Sequence, residues 1–103
     1  PKVKFDETTY DFGTAKQNSD VTYTFKFKNE GKSDLKIRRI RATCGCTTVK
    51  PEKTVIPPGE SSSLKAIFST GGRQGPQRKA IHFISNDPEN SDISLILKGT
   101  VEK

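Results

Sequence analysis

A chain of 103 residues has room for one hydrophobic core and not for two. Hydrophobic residues make up 30% of it, and even with its 8 glycines added the apolar share stays below the roughly 45–50% of ordinary globular domains. The net charge of +6 admits nucleic acid, an anionic surface or an acidic partner without choosing among them.

A core with so few apolar residues must be thin, as between two sheets about 10 Å apart where only alternate residues face inward. The acidic residues are dispersed, so neither terminus carries a charged tail. No apolar run approaches the roughly 20 residues of a bilayer span, and no signal-peptide core is present, so membrane insertion by this segment is not expected. The first residue is Pro1 rather than Met, which suggests an excised domain or a processed segment whose targeting signal would lie elsewhere.

In chain order, Val3-Lys4-Phe5 and Thr9-Tyr10-Asp11-Phe12 read as one broken first strand that stops at Gly13. Val21, Tyr23, Phe25 and Phe27 then alternate with Thr22, Thr24, Lys26 and Lys28. That period of two, rich in aromatic and β-branched residues, marks a half-buried strand, and Asn29 to Asp34 reads as a turn. From Leu35 to Thr43 the apolar parity changes: Leu35 and Ile37 share one face, Ile40 and Ala42 the other. A flat strand would bury Arg38 or Arg39, which is costly for an unpaired charge, so a bulge at Arg38-Arg39 is predicted.

Short strands follow at Thr47 to Lys50, halted by Pro51, and at Thr54 to Ile56, ended by Pro57-Pro58-Gly59. Ser63 to Ser69 turns Leu64, Ala66 and Phe68 inward, and a glycine-rich connection runs from Thr70 to Pro76. Arg78 to Ser85 and Ile93 to Thr100 complete the set, joined by the turn Asn86-Asp87-Pro88-Glu89-Asn90. Seven or eight short strands with frequent turn signals and no amphipathic helix predict an all-β sandwich, with residues 1–103 as a single domain.

Cys44 and Cys46 are the only cysteines, and three readings compete for them. As free thiols they would pack as small hydrophobes at one end of the sandwich. As a disulfide they would have to close from the roughly 6.5 Å Cα separation of extended residues two apart, with Gly45 relaxing the backbone. A ring so small adds little entropic stability, so such a bond would be more redox-labile than structural. As thiolates they could hold Cu(I) or half of a zinc site. The only histidine, His82, is expected opposite Arg38 on a neighbouring antiparallel strand, about 20 Å from the thiols, so a joint site is not expected.

No nucleophile, base and orienting group can be assembled from the sequence, so neither an enzyme nor a cofactor is expected. His82 has no carboxylate near it in sequence and reads as a half-exposed sheet residue. Asp87, Glu89 and Asp92 share a loop but lack the spacing of a dedicated calcium site. Lys36, Arg38, Arg39 and Arg41 form the densest positive cluster, and Arg78 and Lys79 of the neighbouring strand are expected to join them on one face. That face either is simply solvated and discourages sheet aggregation or docks an acidic protein, polysaccharide or other anionic ligand. Nucleic acid is not favoured, because the aromatic residues are spent on the core and leave no stacking platform.

The string Ala42-Thr43-Cys44-Gly45-Cys46-Thr47, preceded by Phe27-Lys28-Asn29-Glu30-Gly31 and followed by Ile56-Pro57-Pro58-Gly59, Ser85-Asn86-Asp87-Pro88 and Leu97-Lys98-Gly99, with Asp11-Phe12-Gly13 near the start, resembles a bacterial family of unknown function with a Cys-Gly-Cys-Thr signature. That family is related to Hydin-type (ASH) and PapD/major-sperm-protein-like domains. The resemblance implies an immunoglobulin-like sandwich in a bacterial cell-envelope protein, periplasmic or a surface lipoprotein, or in a secreted one. It implies no activity and no catalytic residues. The functional expectation is a non-catalytic binding or scaffolding module for another protein; the alternative is a redox or soft-metal function at Cys44 and Cys46.

Overall fold

Two sheets hold about two thirds of the chain in a computed structural model that describes residues 1–103. Nine strands occur in the order β1 (Val3–Phe5), β2 (Thr9–Lys16), β3 (Asp20–Asn29), β4 (Leu35–Ala42), β5 (Thr47–Pro51), β6 (Val55–Ile56), β7 (Ser61–Ser69), β8 (Gly75–Ser85) and β9 (Asp92–Glu102). One sheet has the order β1-β3-β7-β5, the other β2-β9-β8-β4-β6. There is no helix, so none is long and apolar enough to cross a membrane. The molecule measures 48 × 20 × 19 Å, and only 20 of its 103 residues are buried, the thin interior that the composition requires.

The alternating faces meet as predicted. Phe25 and Phe27 of β3, Leu64, Ala66 and Phe68 of β7, Ile81 and Phe83 of β8, and Leu95 and Leu97 of β9 lose nearly all contact with water. The rings of Phe5, Phe27 and Phe83 form a triangle with centroids 5.1, 5.1 and 5.4 Å apart, two of the pairs edge-on, an arrangement aromatic quadrupoles favour. The register of β4 against β8 slips between Ile37 and Arg39. This is the predicted bulge, and it lets Ile37 and Ile40 face inward while Arg38 and Arg39 stay exposed.

The first strand departs from the sequence reading. It is two strands in different sheets: β1 pairs antiparallel with β3, and β2 pairs parallel with β9. Gly13 does not stop β2. Its φ of +70°, open to glycine at no steric cost, absorbs a register slip between Asp11 and Thr14. Turn signals report hairpins, and a parallel pairing of β2 with the last strand has none. The same region explains two of the strings quoted above, because the Phe12 ring covers Gly99 so closely that a Cβ there would lie 2.5 Å from it.

One end of the sandwich is closed by polar side chains rather than apolar ones. Asn29, fully buried, donates from Nδ2 to the carbonyls of Ser33 (2.8 Å) and Ile56 (2.9 Å) and accepts at Oδ1 from the amides of Gly31 (3.0 Å) and Lys2 (3.3 Å). All four hydrogen-bonding positions of the amide are thus used. Asp87, 1% exposed, accepts the Val3 N–H at 3.0 Å on Oδ2 and the Glu89 and Asn90 N–H groups at 2.9 and 3.2 Å on Oδ1. Asp87-Pro88 is therefore turn chemistry, as its sequence suggests, and also the anchor of β1. Burial pushes its carboxyl up, but the three N–H donors outweigh that and hold it below its ordinary 3.8.

Replacing Asn29 by Ala should cost about 3 kcal/mol in urea unfolding, since it strands buried amides and carbonyls at once; a loss under 0.5 kcal/mol would contradict the clamp. The Asp87 carboxylate stabilises the fold fully above its unfolded-state value and loses that effect as pH falls through its lower folded-state value. Asp87→Asn should therefore unfold more easily than the parent at pH 7, with the gap narrowing as pH falls through and below the ordinary carboxylate range. A gap that does not change with pH would refute the assignment.

Candidate functional site

At the opposite end three loops converge. Gln17 donates from Nε2 to the carbonyls of Gly72 and Arg73, both at 3.1 Å, and the Asn18 amide reaches Gly71 O at 2.8 Å. The buried Thr70 hydroxyl accepts the Ser19 N–H at 2.9 Å and lies 2.8 Å from Lys16 O. The Ser69 amide donates to Cys46 O at 2.9 Å, so the turn that carries the cysteines is tied to the same assembly.

Of the three readings of the cysteines the structure contains the disulfide: Cys44 and Cys46 are bridged and no free thiol remains. Their Cα atoms are 5.1 Å apart, closer than an extended pair, because residues 43–46 turn instead of continuing β4. Both residues are half-buried, and Cys46 packs against the core. Cys44 Sγ is approached by two donors, the Cys46 N–H at 3.1 Å and Arg73 Nη2 at 3.5 Å. Sequence reasoning missed Arg73, which reaches the bridge from a loop 29 residues away. Joined sulfurs offer no thiolate to a soft metal, and no three His, Cys, Asp or Glu side chains converge elsewhere.

His82 also sits differently from its predicted place. It pairs with Arg41 rather than Arg38, which brings it to roughly 10 Å from the cysteine turn in strand length. It also has the carboxylate the sequence hid: Asp92 Oδ1 is 3.1 Å from Nδ1 across the β8–β9 hairpin. No hydroxyl or thiol is hydrogen-bonded to the ring, so the pair holds no nucleophile to activate. The Tyr23 hydroxyl donates to Glu7 Oε2 at 3.0 Å, and that bond, followed by burial, raises the phenol above its ordinary 10.0. Tyr23 also stacks on Tyr10 at 3.9 Å between centroids, closing the seam where β2 meets β3.

The basic cluster divides. Lys36, Arg39 and Arg41 point outward from β4, Arg38 stands exposed in the bulge, and Arg78 points outward from β8. Lys79 has the opposite parity and turns inward, its Nζ 5.6 Å from the centre of the Phe68 ring in a cation–π contact; it does not share the face with the others. The ion pairs of the chain are Lys16–Glu102, Lys53–Glu60 and His82–Asp92, so the arginines of β4 have no carboxylate partner. β6 covers β4 only at Leu35 and Lys36, with one further bond from the Ile37 amide to Thr54 O at 2.9 Å. Because Thr43 N–H donates to Ala80 O, antiparallel alternation turns the backbone groups of Arg39 and Arg41 toward β8 and those of Ile40 and Ala42 out of the sheet. Beside this bare edge a notch of about 260 Å³ is lined by Ile37, Arg38, Arg39, Ile40, Val49, Pro51 and Thr54.

Two facing sheets with this strand order and a parallel pairing of β2 with β9 define a PapD/ASH-like immunoglobulin-like sandwich. The ASH/PapD-like domain 7 of human CEP192 superposes with a TM-score of 0.74 at 13% identity, over 99% of this chain and 86% of that one. The chain belongs to the family described as protein of unknown function (DUF1573), which matches residues 3–101. A protein of unknown function from Porphyromonas gingivalis W83 is similar at a TM-score of 0.84 and 21% identity over 95% of this chain, which spans only 46% of that one. Vibrio cholerae VesB protease contains a similar fold, TM-score 0.71 at 11% identity, matched to 32% of its length. At such identities these likenesses speak for the fold alone. No curated protein sequence matches.

The native protein should resist maleimide and weigh two hydrogens less than its reduced form by intact-mass spectrometry. Two thiols titrating in the untreated folded protein would contradict the bridge.

Proposed function

We propose that the chain is a non-catalytic binding or scaffolding module that receives an extended, acidic segment of a partner protein on the open edge of β4. The observation that carries this reading is that the backbone groups of Ile40 and Ala42 point to the open sheet edge without a neighbouring strand, beside Arg38, Arg39 and Arg41, which lack a carboxylate. An added strand would satisfy those N–H and C=O groups, as in other sheet-edge complexes. Acidic side chains would meet the arginines and an apolar one would fill the notch against Ile37, Ile40 and Val49. The other edges are less receptive: β1 has three residues, β5 ends in Pro51 and β2 is bent by its bulge. The bulge and charges of β4 discourage indiscriminate pairing and so favour a partner of opposite charge.

We place the module in a bacterial envelope or secreted protein. A disulfide persists in such oxidising compartments, and the similar Porphyromonas chain is bacterial. Fractionation of source cells should recover the full-length protein outside the cytoplasm; cytoplasmic recovery with reduced thiols would oppose this.

The edge is tested by titrating the isotopically labelled domain with a synthetic peptide of alternating glutamate and valine. Amide shifts and slowed exchange should centre on Ile40 and Ala42, vanish in the Arg38→Glu/Arg39→Glu variant and be absent with a lysine–valine peptide. Equal responses to both peptides, or shifts centred elsewhere, would overturn the reading.

A further inference from the structure

We infer that the Cys44–Cys46 bridge is a thiol-exchange site, with Cys44 as the sulfur that engages an external dithiol or disulfide and Cys46 as the sulfur that resolves it. Three observations carry this. The two half-cystines differ in setting, since Cys46 is packed against the core while Cys44 is not. Two N–H donors converge on Cys44 Sγ, the guanidinium of Arg73 at 3.5 Å and the Cys46 amide at 3.1 Å, whereas Cys46 Sγ meets only the uncharged Thr47 hydroxyl at 3.7 Å. The bridge closes a ring with only Gly45 between its ends, and Gly45 is exposed with open space around it.

A cation beside a sulfur favours its thiolate and attracts an incoming one. Arg73 makes no ion pair, so its charge is available to Cys44. The half-buried Cys46 sulfur, packed against the apolar core, has the less stable thiolate. This asymmetry assigns the roles.

In the reducing direction, a thiolate of an external dithiol attacks Cys44 Sγ. The Cys44–Cys46 bond breaks, its electron pair leaves on Cys46, and Cys46 takes up a proton. A mixed disulfide now joins Cys44 to the external molecule. The second thiol of that molecule attacks its own mixed sulfur and releases Cys44 as a thiolate beside Arg73. The external dithiol ends as a disulfide and its two electrons end on the two cysteines; of its two protons one ends on Cys46 and the other passes to solvent, Cys44 remaining a thiolate. The reverse sequence oxidises the pair, with Cys44 attacking an external disulfide and Cys46 closing the bridge. The core strands do not pass through the turn, so exchange leaves the sandwich folded.

Alkylation of single-thiol variants tests the assignment. In folded Cys46→Ser, iodoacetamide should modify Cys44 at a lower pH than it modifies Cys46 in folded Cys44→Ser. Adding Arg73→Gln to Cys46→Ser should slow alkylation at pH 7 about tenfold, and Arg73→Lys should recover most of the rate. Equal pH profiles for the two sulfurs, or no response to Arg73→Gln, would overturn the roles. In the unaltered protein, dithiothreitol should reduce the bridge while near-ultraviolet circular dichroism stays native; reduction that occurs only with unfolding would overturn the exchange site itself.

Discussion

An interior one side chain thick governs everything else in this molecule. Each sheet contributes one face, each face contributes alternate residues, and the two sets of rings and aliphatic chains meet directly across the gap. With 20 buried residues in 103 there is no second layer to cushion a misplaced group. Close packing at this thickness leaves little freedom for the rings of Phe5, Phe27 and Phe83. The register of every strand follows from it, since a slip of one residue would exchange the entire buried set for the solvated one.

A thin slab is weakest at its ends and seams, where apolar cover runs out. The ends are closed by polar side chains held by several hydrogen bonds each, Asn29 and Asp87 at one and Thr70 at the other. Such groups cost free energy when buried alone and contribute when satisfied. One long seam is closed by Tyr10 on Tyr23. The other, between β4 and β5, is left with a notch and a strand edge that β6 does not reach. The places where the slab is not sealed by its own residues are therefore few, and the candidate binding edge is one of them. The cysteine turn is another, tied down by hydrogen bonds to its neighbours and touching the packed layer through Cys46.

The layer itself was legible in the sequence because period-two alternation is a local signal: Val21 to Lys28 and Leu64 to Phe68 announce their buried faces within a few residues. Even the bulge at Arg38 was readable, since two arginines cannot both be buried and the apolar parity changes beside them. What the sequence concealed is non-local. Nothing near Thr9 to Lys16 reports that it runs parallel to the last strand, and nothing near His82 reports Asp92 on the next hairpin strand. Arg73 sits in a glycine-rich loop whose path no propensity fixes. Lys79 is adjacent to Arg78 in sequence, but neighbours on a strand face opposite ways, so it leaves the basic face.

Native-state hydrogen exchange tests the single-layer account most directly. If the interior and its polar closures hold the fold together, amides of β3, β7, β8 and β9 will be slowest, and the Val3 amide, locked to Asp87, will be protected with them despite lying at the start of the chain. The Ile40 and Ala42 amides will exchange quickly within the same strand that protects Arg39 and Arg41. A Val3 amide exchanging at coil rates, or uniform protection along β4, would contradict it.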